Sequence, residues 1–222
     1  MLFNDLASRI DHTVLRPEAT RTDMLRICQE AMQFGFGVIF IPPCYLKEAI
    51  AAVRGTSVRV GVPIGFPLGG HTTHAKVAEA IEAWEQGALE LDMVLNVSRL
   101  KSGDVDAVRE DIAAVVRATP GAGHKVIFET CYLTREEKIL ACQLAVEAGA
   151  DYVKTSTGFG AGGATVEDVR LMKASVAGRA RVKASGGIRD LDTVLAMLEA
   201  GADRIGTSAS IKIMEEWQVR HR

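Results

Sequence analysis

Two lysines, each ending a short apolar segment, are the residues of this 222-residue chain that most clearly suggest chemistry. Lys154 ends Tyr152-Val-Lys154 and Lys183 ends Arg181-Val-Lys183, and small or hydroxyl residues follow both. Lysine is rarely buried without a partner, because removing an ammonium group from water is costly. Burial beside a second cation lowers the pKa of a lysine and leaves a nucleophilic amine. The pair therefore predicts an amine that attacks a carbonyl and forms a Schiff base.

The elements around these lysines predict an α/β fold. Apolar segments indicate eight strands, over 9–13, 37–41, 57–62, 88–94, 125–129, 152–154, 181–183 and 203–206. Periodicity and capping sequences indicate helices over 20–34, 46–54, 72–85, 104–117, 134–148, from 165 onward, and over 191–200 and 208–217. Eight alternating units are typical of a (β/α)8 TIM barrel. Since no linker divides the chain, we expect one domain over 1–222.

A doubly wound open sheet would give much the same alternation, but the fourth strand favours a barrel. One face of that strand is apolar, with Leu89, Leu91, Met93 and Leu95. The other face is mixed, with Glu90, Asp92, Val94 and Asn96. Strands of an open parallel sheet are usually apolar on both faces. A mixed face directed into a partly polar interior suits a barrel better.

Catalytic residues of such barrels lie at the carboxyl ends of the strands. The ends of the predicted strands carry Asp11, Asp92 with Asn96, Glu129, Lys154 and Lys183. A carboxylate such as Asp92 could move protons to and from an imine through a water molecule. The alternative is a structural ion network in which the two lysines pair with Asp92 and Glu129, since such networks also perturb pKa values. The residues alone leave both interpretations open.

Small residues after the last strands indicate a phosphate site. Gly158 follows the sixth strand, Gly186 and Gly187 the seventh, and Gly206 with Ser208 the eighth. Barrels often bind phosphate there, through backbone N–H groups at helix starts. Residues 158–163 also match the pattern G-x-G-x-x-G, but the acidic residue that a dinucleotide site needs about 20 positions later is absent. A dinucleotide cofactor is therefore not expected.

Composition excludes several other classes. The net charge is −2 with no basic stripe, so no nucleic-acid partner is expected. No apolar run has the length of a membrane span, and residues 1–5 do not resemble a secretory signal. We therefore expect no membrane association.

Cysteine and histidine spacing gives no sign of a metal. Four cysteines lack paired spacing and indicate free thiols in a reducing cytoplasm: Cys28, Cys44, Cys131 and Cys142. His71 and His74 have no acidic or cysteine partner nearby and fit the polar start of a helix. We expect neither a metal nor a cofactor.

These motifs together resemble the deoxyribose-phosphate aldolases. Val153-Lys-Thr-Ser-Thr-Gly-Phe159 is similar to the Schiff-base motif of that family, and Val182-Lys-Ala-Ser-Gly-Gly-Ile-Arg189 to its second-lysine motif. Glu90-Leu-Asp-Met-Val-Leu-Asn96 resembles its acid/base motif. Further matches are Ile10–Leu15, Val62–Gly70 and Arg204–Ser208. The resemblance covers essentially the whole chain in order.

The resemblance implies reversible cleavage of 2-deoxy-D-ribose 5-phosphate to acetaldehyde and D-glyceraldehyde 3-phosphate, without metal. It assigns Lys154 to the imine, Lys183 to keeping Lys154 neutral, and Asp92 to proton relay. It assigns Asp11 and Thr13 to the network or the substrate hydroxyls. The remaining substrate-binding residues that it implies are Thr155, Gly158, Gly186, Gly187, Arg189, Gly206 and Ser208. By the same analogy we expect a homodimer.

The chain departs from the family pattern at three places. Residues 39–43 read Ile-Phe-Ile-Pro-Pro where members often carry Val-Cys-Val-Asn-Pro, which alters a pocket wall at Phe40 and Pro42. Phe159 stands where many members carry a lysine, and the chain lacks a terminal tyrosine. Two alternatives remain: a Schiff-base aldolase for another phosphosugar, and a non-catalytic phosphosugar-binding barrel.

Overall fold

Eight parallel strands close into a barrel in a computed structural model that describes residues 2–221. Met1 and Arg222, the ends of the predicted domain, lie outside the described residues. The strands are β1 Ile10–Thr13, β2 Val38–Phe40, β3 Arg59–Ile64, β4 Glu90–Val94, β5 Gly123–Ile127, β6 Tyr152–Lys154, β7 Arg181–Ser185 and β8 Arg204–Thr207. Because β1 pairs with both β2 and β8, the sheet has no edge. The predicted (β/α)8 barrel is confirmed, and the open sheet is excluded.

Helices surround the barrel. They are α1 Phe3–Ser8, α2 Arg21–Phe34, α3 Leu46–Ala52, α4 Thr73–Glu85, α5 Val97–Lys101, α6 Val105–Ala118, α7 Arg135–Glu147, α8 Val166–Val176, α9 Leu191–Glu199 and α10 Ser210–Arg220. Threonine side chains begin four of the predicted helices: Thr20 accepts from Asp23 N, Thr72 from Ala75 N, Thr134 from Glu137 N and Thr165 from Asp168 N. Each satisfies a backbone donor that the helix start leaves free. The helices α1 and α5 were not predicted, because five or six residues carry too little periodicity.

Most strand bounds differ from the prediction by one or two residues, and β3 and β5 are displaced by two residues at both ends. Strand β3 extends through Pro63 and Ile64, which pair with Asp92 and Met93 of β4, so part of the predicted loop is strand. Strand β5 spans residues 123–127 rather than 125–129. Glu129 cannot continue it, because its φ of 53° is left-handed.

The mixed face of β4 points into the barrel, as predicted. Glu90 and Asp92 contact lysines in the interior, whereas Leu91 and Met93 belong to the apolar core beneath the helices. Glycines on the neighbouring strands make room for the large interior side chains. A Cβ at Gly61 would lie 2.6 Å from the Phe40 ring. The interior is therefore shaped to hold Phe40 and a cluster of charged groups.

Two further observations concern membrane and thiol chemistry. Within residues 2–221, no helix is long and apolar enough to cross a membrane. All four cysteines are free thiols, with Cys28 and Cys142 buried and Cys44 and Cys131 exposed.

Candidate active site

Strand register brings three lysines together in the barrel interior. Lys154 on β6 is aligned with Lys183 on β7 and with Ile127 on β5, two residues beyond Lys125. Asp92 on β4 is aligned with Lys125. Side chains alternate along a strand, and residues aligned on neighbouring strands point to the same side of the sheet. Each lysine therefore points into the barrel. All four side chains point into the interior, with Lys154 and Lys183 two residues further along their strands than Asp92 and Lys125.

Asp92 is the common partner of these lysines. Its Oδ2 lies 2.9 Å from Lys154 Nζ and 2.9 Å from Lys183 Nζ, and both amines donate hydrogen bonds to it. Its Oδ1 lies 2.9 Å from Lys125 Nζ, in an ion pair that is not aligned as a hydrogen bond. All four side chains are buried. One carboxylate thus holds three amines away from bulk solvent.

Further charges complete the cluster. Lys183 Nζ lies 2.5 Å from Asp11 Oδ2. Glu90 pairs with Lys125, with Arg59 Nη1 at 2.8 Å and with Arg204 Nη1 at 3.3 Å. The buried members are three carboxylates and three lysines, with the mostly buried Arg204 as a fourth cation: Asp11, Glu90, Asp92, Lys125, Lys154, Lys183 and Arg204. With every group ionised, this set carries one excess positive charge, which a neutral Lys154 removes.

The pKa of Lys154 is lowered to about 8. Burial is the largest cause; the Asp92 carboxylate opposes it, and the charges of Lys183 and Lys125 lower the pKa further. The cation that the sequence predicted beside Lys154 is thus present, although burial has the larger effect. At pH 8 about half of the Lys154 amines are neutral nucleophiles.

For Asp92, unlike Lys154, the neighbouring charges together have a larger effect on the pKa than burial does. Burial by itself raises the pKa of a carboxyl group, but the charges of Lys125, Lys154 and Lys183 outweigh it and lower the pKa of Asp92 far below its usual range. Asp92 is therefore ionised at every pH at which the protein would function. It holds the three amines as an anion.

The ring of Phe40 covers this cluster from β2. Its centroid lies 3.9 Å from Lys183 Nζ, 4.8 Å from Lys125 Nζ and 5.5 Å from Lys154 Nζ. Cations are attracted to an aromatic face at such distances. The sequence identified Phe40 only as a departure from the family pattern, whereas the structure places it against all three amines.

A cavity of about 420 Å³ opens above Lys154 at the carboxyl ends of the strands. Its wall includes seven of the predicted residues besides Lys154, namely Thr13, Gly158, Gly186, Gly187, Arg189, Gly206 and Ser208. Asp92 and Lys183 lie beneath the lining. Among the lysines that the structure describes, Lys154 is the one that lines this cavity, as a nucleophile must.

Four residues at predicted strand ends do not reach the cavity. Asp11 contacts Lys183 and Arg204 in the interior. Thr155 donates to Ser185 O at 2.9 Å and links β6 to β7. Asn96 caps α5 by accepting from Arg99 N. Glu129 accepts from Thr157 N and Oγ1, so its contact is with the loop after β6 rather than with a lysine.

One end of the cavity is suited to a dianion. Gly186 and Gly187 follow each other with φ of 88° and 78°, which residues with side chains rarely adopt. Helix α10 begins just after Ser208, so its N-terminal N–H groups lie beside the cavity. Arg16 and Arg189 line the cavity, whose described lining contains no carboxylate. Arg16 escaped prediction because an arginine after a strand is common on any surface.

Within residues 2–221, no group of three or more His, Cys, Asp or Glu side chains is placed to hold a metal ion. His71 and His74 do flank the start of α4 at Thr73, as the sequence predicts.

The pH dependence of kcat/KM should reveal the neutral amine. Only unprotonated Lys154 can attack a carbonyl, so kcat/KM is expected to rise with pH through about 8, the pKa of Lys154. Initial rates measured from pH 6 to pH 10 test this, with coupling enzymes checked separately at each pH. A profile that is flat between about pH 6 and pH 9 would contradict a nucleophile with this pKa.

Replacing Lys183 by leucine should move that profile. The charge of Lys183 lowers the pKa of Lys154, so Lys183→Leu is expected to raise it by about one unit and to shift the rise to higher pH. At pH 7 this alone reduces the neutral fraction about tenfold. Intact turnover with an unchanged profile would mean that Lys183 does not tune Lys154.

The closed barrel and the amine cluster at its strand ends define a class, the (β/α)8 enzymes with a lysine-based site. The model of the DeoC/LacD family of aldolases matches residues 6–215. A deoxyribose-phosphate aldolase of Thermoanaerobacter sp. (strain X514) is 55% identical over 216 residues, which cover 96% of this chain and 97% of the relative. The chain therefore belongs to the DeoC/LacD family of aldolases, and the predicted family is confirmed.

Solved structures agree with this assignment. A putative deoxyribose-phosphate aldolase from Coccidioides immitis superimposes with a TM-score of 0.96 at 43% identity, covering 98% of this chain and 87% of that chain. The deoxyribose phosphate aldolase from Aeropyrum pernix, described as a tetramer, gives a TM-score of 0.91 at 35% identity, with coverage of 97% and 92%.

Proposed function

We propose that this chain reversibly cleaves 2-deoxy-D-ribose 5-phosphate into acetaldehyde and D-glyceraldehyde 3-phosphate through a Schiff base on Lys154. One observation carries the proposal: a buried amine with a pKa of about 8 opens into a cavity whose rim holds glycines, hydroxyls and two arginines. The amine suits an aldehyde carbon, and the rim suits a phosphate group. Full-length relatives with the same activity in their names support it.

In the first half of the reaction, the neutral amine of Lys154 attacks C1 of the open-chain sugar. One proton is taken up from water, the former carbonyl oxygen leaves as water, and a protonated imine forms. The cluster accepts this charge without rearrangement, because Asp92 Oδ2 already lies 2.9 Å from Nζ of Lys154. Lys183 shares that oxygen, which helps to keep the free amine unprotonated between turnovers.

In the second half, the C3 hydroxyl loses its proton and the bond between C2 and C3 breaks. The electron pair moves to C2 and toward the iminium nitrogen, which gives an enamine on Lys154 and releases D-glyceraldehyde 3-phosphate. Protonation of C2 and addition of water at C1 then release acetaldehyde and the free amine. We assign the proton movements to Lys183 and water, organised by Asp92, since Asp92 itself stays ionised.

A substrate profile tests this function. The purified chain should cleave 2-deoxy-D-ribose 5-phosphate and should make it from acetaldehyde and D-glyceraldehyde 3-phosphate. Ribose 5-phosphate is the matched control, because it differs by one hydroxyl at the donor carbon. Turnover of other phosphosugars without use of acetaldehyde would indicate a different Schiff-base aldolase. Binding of the phosphosugar without turnover would indicate a non-catalytic barrel.

We also propose that the chain forms a homodimer. Leu25 and Met32 lie two turns apart on α2 and are 44% and 42% exposed. Apolar side chains on one exposed face support association with a second copy. Light scattering coupled to size exclusion should give twice the 23.9 kDa chain mass; a tetramer, as described for the Aeropyrum pernix relative, would replace the proposal.

We further propose a cytoplasmic location. Four free thiols support it, because cysteines of proteins in oxidising compartments are usually paired. Fractionation of the source cells with an antibody to the chain tests the location.

A further inference from the structure

A third lysine lies in the interior and takes no part in the proposed reaction steps. Lys125 is fully buried beneath Asp92, 2.9 Å from its Oδ1 and paired on its other side with Glu90. It does not line the cavity and does not reach a substrate. A buried ammonium is costly in a fold, and this one lies between the two carboxylates of β4.

We propose that Lys125 is a positioning residue that fixes the orientation of Asp92 and balances the charge of the site so that Lys154 stays an uncharged amine. By engaging Oδ1, Lys125 leaves Oδ2 for Lys154 and Lys183, which both donate to it. The effect of Lys125 on catalysis rests on the proposed function, whereas its effect on the protonation of Lys154 does not.

The charge balance follows from a count of the buried groups. Asp11, Glu90 and Asp92 supply three negative charges. With Lys154 neutral, three cations remain to balance them: Lys125, Lys183 and Arg204. Arg59, which is partly exposed, also pairs with Glu90 at the rim of this set. Loss of the charge of Lys125 removes one positive charge from the buried set, so protonation of Lys154 becomes more favourable.

Charged and titratable groups from several strands surround Lys125 and its carboxylate partners. Glu90 and Asp92 of β4 pair with Lys125, and the rings of Phe40 of β2 and Tyr152 of β6 lie against it. Around these partners lie Asp11 of β1, Arg59 of β3, Lys183 and Arg181 of β7, and Arg204 of β8. His124, adjacent to Lys125, hydrogen-bonds to Thr119 outside the barrel, and burial lowers its pKa, which favours its neutral form. The carboxylates around Lys125 raise its own pKa despite its burial, so Lys125 keeps its charge.

Reductive methylation with formaldehyde and a borohydride reads the protonation of Lys154 directly, because only neutral amines react. The rate at Lys154 is followed against pH by peptide mass spectrometry in the full chain. The midpoint is the pH at which the methylation rate at Lys154 reaches half of its maximum. Lys125→Gln retains a hydrogen-bond donor but loses the charge, so it is expected to raise this midpoint by about one pH unit. The rise of kcat/KM with pH should shift by the same amount.

Two further variants separate charge from packing. The double variant Lys125→Gln/Glu90→Gln removes one charge of each sign, so the methylation midpoint of Lys154 should return to the parent value. Lys76→Gln is the matched control: Lys76 is equally buried, but it pairs with Asp111 outside the barrel interior. In Lys76→Gln, the methylation midpoint of Lys154 should equal the parent value.

Three results would overturn the proposal: an unchanged midpoint in folded Lys125→Gln, an equal shift in Lys76→Gln, or a double variant that keeps the shift. Should Lys125→Gln fail to fold, Glu90→Gln tests the same balance with the opposite sign: it removes a negative charge from the same ion pair, so the midpoint for Lys154 should fall, and an unchanged midpoint would count against the proposal. The methylation does not depend on aldolase activity. Failure of the proposed function would appear separately, as a parent chain that forms no adduct with acetaldehyde.

Discussion

Lys154→Met is expected to reduce turnover of 2-deoxy-D-ribose 5-phosphate by at least about 10⁴-fold, because no other lysine within residues 2–221 lines the cavity. Methionine is as long as most of the lysine side chain and carries no charge, like the neutral amine it replaces. Asp92 keeps Lys125 and Lys183 as partners. The variant should therefore fold, and its loss should appear in kcat with phosphosugar binding retained.

Lys76→Met is the control for this substitution. It also removes a buried lysine, but one that pairs with Asp111 and does not contact the cluster. We expect it to lose stability and to keep kcat. Residual turnover of Lys154→Met above about one hundredth of the parent value would mean that another amine is the nucleophile.

Asp92→Asn should have the second largest effect, and it should act on both stability and rate. The amide keeps the shape of the carboxyl group but removes the charge that three lysines share. Breaking a buried ion pair from one side costs about 3–5 kcal/mol, so the free energy of unfolding should fall by that amount. Loss of organised proton transfer should lower kcat by about 10²–10⁴-fold.

Asp111→Asn separates the two effects. Asp111 is a buried carboxylate that accepts from Lys76 at 2.5 Å and from Thr73 at 2.8 Å, away from the cavity. It should lose stability to a similar extent while kcat is kept, as urea unfolding and initial rates would show. If Asp92→Asn lost stability but retained kcat, Asp92 would be a structural anion rather than part of the proton path.

The sequence predicted the barrel and the central pair of lysines for a physical reason. Consecutive parallel strands are neighbours, so residues that end them lie side by side, as Lys154 and Lys183 do. For the same reason, the glycines that follow successive strands lie together at the carboxyl-terminal end of the barrel. The mixed face of β4 likewise placed Asp92 inside.

Other features depend on register and could not be predicted. Lys125 shares the alternating face that predicts an interior position, but only the alignment of β5 with β4 places it against Asp92. Glu129 pairs with the lysines in the ion-network alternative, yet its left-handed backbone turns it toward Thr157. Thr155 lies in a motif beside Lys154, but alternation directs its side chain to β7 instead of the cavity.

Borohydride trapping with acetaldehyde, followed by peptide mass spectrometry, tests the central claim most directly. Reduction of the transient imine should leave one ethyl group on Lys154, and the same treatment of Lys154→Met should leave that peptide unlabelled. Such a result would establish the nucleophile and the aldehyde donor together. An ethyl group on Lys183 would contradict the assignment of the two lysines. A folded chain that binds the phosphosugar but yields no adduct would contradict the Schiff-base mechanism itself.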